Sequence, residues 1–463
     1  MERPHIFKNN SLTIPSNQKP SFISEMIEIN LAAPFAPSTA QLNFEEKSFE
    51  FNVQTCADLI TFYLTELGFN TVFGVPGGNI DPLFASMNTL HELNFLEIIN
   101  PLHEAAGIFM ADGFYRETGK LSLVCATSGP GATNLITGVV SAYEQHIPML
   151  IITAQPPISD HGRHAWQEMS CTTSNIVNMM KECCRYSTLV SHPEQLEYKL
   201  LTSLAYALGP SGGPVHLSIP RDILKASIKL KFSKRRDIIE SIQKKSFPLD
   251  AIMFHELYSK IQLSKSGTFV LGERAGGAVF YAEKLAKILG WSIVTTPAAK
   301  GLIDYRHPNF LGVVGMAGHA QAIAALHAEQ SELLIALGMT FNEMTTLNWN
   351  ESNLFSQRLI SIESNPDIQA QFFNAQLQIL SNPAVVLRAL YERLSTPSTQ
   401  TINPVNTTFQ NPIWITEQKP YQKIHPGALM EYLSEAAPLD CRLSVDIGNS
   451  MLWAVQAWRF RRS

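Results

Sequence analysis

One acid dominates the chemistry that this chain could do. Glu104 stands in Leu102-His103-Glu104-Ala105-Ala106-Gly107, on a helical segment between two strand-like runs. With no cation in its own turn, such a carboxylate is either solvated or held in a dry site where a ligand uses it. A desolvated carboxylate can share a proton with a bound heterocycle. His103, beside it, could assist proton transfer or cap the helix. Two glycine-rich turns, Pro76-Gly77-Gly78 and Ser128-Gly129-Pro130-Gly131, each follow a strand-like run and precede a helix. Their amides could approach a ligand at the carboxyl end of a sheet. Neither turn is the GxGxxG of a dinucleotide site. A third, Gly272-Glu273-Arg274-Ala275-Gly276-Gly277, could cradle a phosphate. Asn134 and Gln145 are plausible pocket-side amides, although polar residues on helix faces are usually solvated, and neither is counted in the site.

These residues need elements to hold them. Leu59, Ile60, Tyr63, Leu64 and Leu67 fall at helical spacing, and Gly68 ends that helix. The run Thr71–Val75 reads as a strand, with Asn79 as the cap of the helix that follows. A strand at Phe95–Ile99, a helix from His103, a strand at Leu121–Ala126, a helix from Gly131 and strands at Met149–Thr153 and Val215–Ile219 continue the alternation. A second alternation follows: strand Phe269–Leu271, helix Ala278–Leu289, strand Ile293–Thr295, helix His319–His327, then strands Leu333–Leu337 and Leu359–Ile362. Alternation with short glycine turns predicts α/β architecture, as tandem doubly wound parallel sheets.

The expected division is a tail or arm over 1–51, a first domain over 52–224, a linker over 225–250, a central domain over 251–395, a second linker over 396–423, and an incomplete third domain over 424–463. The third opens with a helix near Pro426–Glu435 and a strand at Leu443–Val445, and Trp458–Ser463 reads as an abrupt end rather than a folded close. A hydrophobic content of 45% across 463 residues gives ample core for several domains. Net charge of -5 leaves no basic field for nucleic acid. Six Cys without regular spacing suit a reducing compartment, and no apolar run is long enough to span a membrane, so a cytoplasmic location is expected.

Several strings together resemble one family. GVPGGNIDPLF, LHEAAGIFMADGFYRETGK, TSGPGATNLITG and GPVHLSIPRD are similar to the pyrimidine-binding half of thiamine-diphosphate enzymes, most closely the acetolactate synthase and 2-oxo acid decarboxylase group. TTPAAKGLIDYRHPNFLGVVG and LLIALGMTFNEMTT resemble that group's central domain, and VDIGNSMLWAVQAW the opening of its diphosphate-binding domain. The resemblance implies that Glu104 hydrogen-bonds a ring nitrogen of the cofactor's aminopyrimidine and favours its imino tautomer. It implies cofactor contacts at Pro76, Gly77, Gly78, Ser128, Gly129, Pro130 and Gly131, and on the diphosphate side at Asp446, Gly448 and Asn449. Trp166 and Gln167 match a Phe-Gln-Glu segment beside the family's substrate channel, and Arg185 falls where the family has Lys.

The implied activity is decarboxylation and carboligation of a 2-oxo acid such as pyruvate, by a homodimer or homotetramer whose sites form between subunits. Thiamine diphosphate and magnesium are the implied cofactors, and FAD a further possibility in the central domain. Leu102 and Ala105 replace the Arg and Gln usual in acetolactate synthases, which with Arg185 favours a simple 2-oxo acid decarboxylase or aldehyde lyase as the alternative. The family's magnesium motif, Gly-Asp-Gly followed by Asn, does not occur in this sequence. The expectation is therefore a chain shortened in its third domain, whose remaining alternative is a binding subunit without turnover.

Overall fold

Parallel pairing, with strands buried on both faces, governs the whole molecule. The computed structural model describes residues 52–228, 247–350, 358–371, 375–395 and 424–461. The proposed arm, the second linker and most of the first linker lie outside these residues. The chain forms two compact units that divide between residues 245 and 246.

The first unit runs α1 (Cys56–Glu66), β1 (Thr71–Gly74), α2 (Asp81–Glu92), β2 (Glu97–Ile99), α3 (Glu104–Thr118), β3 (Leu123–Ala126), α4 (Pro130–Thr133), α5 (Ile136–Glu144), β4 (Met149–Gln155), α6 (Ile176–Lys181), β5 (Tyr186–Leu189), α7 (Leu196–Ala207), β6 (Pro214–Pro220) and α8 (Arg221–Lys225). Its sheet order is β2-β1-β3-β4-β6-β5, every pair parallel. Every residue of β1, β3, β4 and β6 is buried. Continuous apolar runs of this kind need helices on both faces. One face packs Leu59, Leu83, Leu200 and Leu217 in a single cluster, and the other packs Ile108, Val124, Val139 and Ile151. The chain leaves β1 towards β2 on one side and later returns to β3 on the other. The switch point therefore falls between β1 and β3, where open α/β sheets form their ligand crevices.

The second unit contains α9 (Ala251–Leu263), β7 (Gly267–Leu271), α10 (Val279–Leu289), β8 (Ser292–Thr295), β9 (Phe310–Val313), α11 (Ala320–Ala324), β10 (Leu333–Leu337), α12 (Glu343–Thr346), β11 (Leu359–Glu363), α13 (Pro366–Ala370), β12 (Leu377–Leu380), α14 (Pro383–Leu394), α15 (Pro426–Ala436) and α16 (Asn449–Ala457). Its order β12-β11-β10-β7-β8-β9 is again wholly parallel, with the switch point between β7 and β10. The Trp291 ring covers Gly267 so closely that a Cβ there would lie 2.6 Å from it. Both tandem sheets are as the alternation predicts. No helix among the described residues is long and apolar enough to cross a membrane.

The structure differs from expectation at several elements. Strands β5, β9 and β12 and helices α7 and α14 carry no signal that sequence reading separated from loop. Residues 443–445, expected as a strand, are irregular. A strand needs a neighbour to satisfy its ladder, and no pairing partner is described beside this one. Arg459 pairs with Glu431 and Glu435, and Arg461 donates to the Ser434, Glu435 and Ala437 carbonyls.

Candidate functional site

The two glycine-rich turns of the first unit meet across its switch point. Asn79, expected as a helix cap, does not cap: α2 starts at Asp81 without a side-chain cap bond. Its Nδ2 instead donates to Ser128 Oγ at 2.7 Å, tying the turn after β1 to the turn after β3. Gly77 lies flat on Thr127, where a Cβ would come within 2.7 Å of that side chain. Thr127 Oγ1 is buried and has no hydrogen-bond partner among the described residues. A buried hydroxyl without a partner costs about 1–3 kcal/mol, so its place at a crevice is a sign of a ligand atom.

Glu104 begins α3 beside this crevice. Its Oε2 accepts from Asn134 Nδ2 at 2.9 Å, and a Cβ on Gly131 would sit 3.4 Å from its Oε1. Glu104 is half-buried, so the carboxylate has one oxygen fixed by an amide and the other against a residue with no side chain. Asn134, expected to be solvated, is thus part of the site, whereas Gln145 is exposed as expected. The only sequence signal for Asn134 was its place one turn after Gly131, too common a spacing to stand out. Helix α3 comes close enough because Gly138 on α5 lets Ile108 approach; a Cβ there would lie 2.6 Å from Ile108 Cβ. His103 is the N-cap of α3, its Nδ1 accepting from the Ala105 N–H at 3.2 Å. Pro76, Gly78 and Pro130 are exposed on the rims of the two turns. A cavity of about 510 Å³ lined by Pro76, Asp81, Asn88, His91 and Asn100 does not include Glu104.

Gln167 joins the site by backbone strain. It has φ 60°, and its Cβ occupies the space beside Gly129, where an added Cβ would lie 2.8 Å away. Gly129 itself has φ 67°, in the region that favours glycine. Behind Gln167, Gln155 clamps Met169 twice, accepting from its N–H and donating to its carbonyl. Buried Glu168 accepts from Ser170 Oγ, the Gly162 N–H and Thr172 Oγ1. The Ser170 hydroxyl, with Gly162 and Thr172, holds this carboxyl below the usual range despite its burial. Trp166 is almost wholly exposed.

Arg185 does not share this neighbourhood, a correction to its grouping with Trp166 and Gln167. Its N–H donates to the Pro214 carbonyl, at the amino end of β6, and its guanidinium lies over Tyr143 and against His146. The glycine turns stand at the carboxyl ends of the strands, so the length of the sheet separates the two. Buried His216 is also set aside. Ser187 donates to the Val177 carbonyl, so His216 Nδ1–H donates to Ser187 and Nε2 accepts from Thr153. That closed network keeps the ring neutral, and burial pushes its pKa down to about 3.

In the second unit, Asp446, Gly448 and Asn449 form an exposed turn before α16. Asp446 Oδ1 accepts from Ile447 N–H, and no three His, Cys, Asp or Glu side chains converge among the described residues. One exposed carboxylate does not make a magnesium site of the oxygen-rich kind. Three N–H groups and the arginine of the Gly272–Gly277 turn are engaged within the chain. The N–H groups of Gly272, Arg274 and Ala275 are given to the carbonyls of Leu337, Gly338 and Gly272. Arg274 is itself engaged by Glu363 and Glu273.

The chain is a tandem pair of doubly wound α/β domains with an acid at the first switch point. Residues 54–176 match the model of the thiamine pyrophosphate enzyme N-terminal TPP-binding domain, and residues 255–390 that of the central domain. The chain is 26% identical over 421 residues to the mitochondrial acetolactate synthase catalytic subunit of Saccharomyces cerevisiae, covering 85% of this chain and 59% of that protein. It is 28% identical over 417 residues to an acetolactate synthase large subunit of Escherichia coli, covering 86% of this chain and 70% of that one. Among solved structures, a thiamine diphosphate-dependent 4-hydroxybenzoylformate decarboxylase of Rhodococcus jostii superposes with a TM-score of 0.69 at 20% identity, over 88% of this chain and 74% of that one. The chain belongs to the thiamine-pyrophosphate enzyme family, within its acetolactate synthase-like group.

Proposed function

We propose that this chain forms the pyrimidine-binding and central parts of an enzyme that decarboxylates a 2-oxo acid such as pyruvate and joins the product to a second one. The observation that carries this reading is the Glu104 carboxylate, held by Asn134 against Gly131 beside an unpartnered Thr127 hydroxyl. These residues fit an aminopyrimidine. Glu104 holds a proton at a ring nitrogen, Asn134 keeps the carboxylate from rotating, and Gly131 leaves room for the flat ring. Thr127 Oγ1 has a hydrogen bond to give. Thiamine diphosphate, when bound, supplies a thiazolium carbon that adds to the 2-oxo acid and accepts electrons as carbon dioxide leaves. Gln167, fixed over Gly129, orients the substrate at the edge of the crevice, and Trp166 shields it. His103 serves chiefly to start α3 at Glu104.

The diphosphate and magnesium contacts are not assembled by the described residues, and a second copy of this chain carries the same residues, so in this reading Glu104 completes a site with a partner subunit that holds the magnesium motif. Asp446, Gly448 and Asn449 are the residues of this chain proposed to face the diphosphate. No step is assigned to FAD.

Calorimetric titration of the chain with thiamine diphosphate and magnesium tests this reading. A charge-assisted hydrogen bond contributes about 1.5–3 kcal/mol, so Glu104→Gln should weaken binding on the order of tenfold or more. Equal affinity of wild type and variant would remove Glu104 from the site. Product analysis with pyruvate then separates the two activities: acetolactate supports carboligation, and free aldehyde a simple decarboxylase, the reading that Leu102 and Ala105 favour.

A further inference from the structure

Three successive carbonyls at the end of α16 are met by two buried side chains of the central fold. Lys300 Nζ donates to Ala454 at 2.9 Å and to Val455 at 2.5 Å, and His319 Nε2 donates to Gln456 at 2.9 Å. Lys300 sits in the β8–β9 connection, and His319 just before α11. The last carbonyls of a helix lack internal partners, and cationic or N–H donors at that end stabilise it. Ala454, Val455, Ala457 and Trp458 are buried along this seam, outside the large apolar clusters of the unit.

The other side of His319 makes the seam sensitive to protons. His319 Nδ1 accepts from the Val313 N–H at 2.9 Å, so the neutral ring, with hydrogen on Nε2, is the only form that satisfies both contacts. Adding a proton at Nδ1 would set two N–H groups head to head and place a second cation beside Lys300. We propose that His319 and Lys300 form a proton-sensitive latch that holds α16, and with it the Asp446–Asn449 turn, against the central α/β fold, and that acidification releases it.

The surrounding charges support the same direction. Arg459 adds positive charge near Lys300 and is itself paired with Glu431 and Glu435 of α15. Tyr305 lies under Arg459, half-buried Asp304 pairs with exposed Arg306, and His307 is partly buried in the same connection. His425, at the start of α15, stacks edge-on against Trp453 of α16. None of these offers His319 an acid. Burial, with Lys300 nearby, pushes the His319 pKa down to about 4, and burial, with Arg459, pushes Lys300 down to about 7. Both groups thus bind fewer protons when docked than when released. For His319 the docked state is favoured above about pH 6.5 and loses that advantage as pH falls towards 4. For Lys300 the same loss runs from about pH 10.5 down to 7.

The test is hydrogen exchange of the full chain between pH 5 and 7, corrected for intrinsic rates. Amides of residues 452–458 should lose protection on the order of tenfold or more at pH 5, while those of β7 and β10 keep theirs. His319→Gln, which retains a donor for the Gln456 carbonyl but does not titrate, should abolish that pH dependence. Lys300→Met should lower protection at every pH and, by removing the neighbouring cation, make the slope shallower without abolishing it. Protection independent of pH in wild type, an unchanged slope in His319→Gln, or no loss in Lys300→Met would overturn the latch. Should the glutamine variant not fold, direct NMR titration of His319 in the wild-type chain decides. A pKa near 6.5 refutes the proposal, and one near 4 that moves with α16 protection supports it.

Discussion

The two units share one architecture and treat its switch-point crevice in opposite ways. Between β1 and β3, the crevice keeps a half-buried carboxylate, a buried hydroxyl with no partner and two turns joined by a single Asn79–Ser128 bond. Between β7 and β10 the equivalent crevice is stitched shut. Glu273 accepts from the Thr340 N–H and hydroxyl, and Arg274 bridges it to Glu363 at the end of β11. Gly272 and Gly338 lie backbone to backbone, with no space for a side chain at either. The difference teaches that a doubly wound sheet offers a place for a ligand without requiring one. What decides is whether the polar groups at the crevice are satisfied within the chain.

The sharpest way to break the comparison is to open the closed crevice. Arg274→Met leaves buried Glu363 and half-buried Glu273 without their cation, and with Arg274 itself half-buried the cost is about 3 kcal/mol. Urea unfolding should show that loss in the second unit's transition alone. An effect under 1 kcal/mol would mean that the network is only surface decoration.

Next in size is His216, the titratable group buried in the first sheet. Its folded pKa of about 3 lies below the unfolded value, so the folded state binds fewer protons between the two. The stability it contributes is complete above about pH 6.5 and falls by about 2–3 kcal/mol by pH 4.5. Denaturation at the two pH values measures this, and His216→Gln should flatten the difference.

A smaller effect is expected at Gly129, where alanine faces both φ 67° and the Gln167 side chain at 2.8 Å. A cost of about 1–3 kcal/mol should accompany weaker cofactor binding. The smallest belongs to Asn79→Ala. Loss of its bond to Ser128 should lower stability by about 1 kcal/mol in urea titration and loosen the two turns relative to one another.

Much of this was legible in order along the chain. Buried strands such as Met149–Gln155 and Leu333–Leu337 announce themselves as apolar runs between glycine turns. Glu104 stood out because an acid among Ala and Gly has no local partner. Less legible were β5, β9 and β12, whose short or mixed runs become strands only because a neighbour supplies the ladder. Residues 443–445 show the converse, a strand-like run without one.

By itself the sequence determined most of the helices and buried strands, that the sheets are parallel, and that Glu104 stands between two glycine turns. Those follow from periodicity, turn chemistry and composition, all local along the chain. The tertiary structure alone decided that Asn134 holds Glu104, that Asn79 joins the two turns, that Arg185 lies at the other end of the sheet, and that Arg274 closes the second crevice. Each of these pairs residues that lie 30 or more positions apart, except Arg185, whose place follows from strand direction. Such contacts are set by packing and by the need to satisfy buried polar groups, and neither leaves a mark in local spacing.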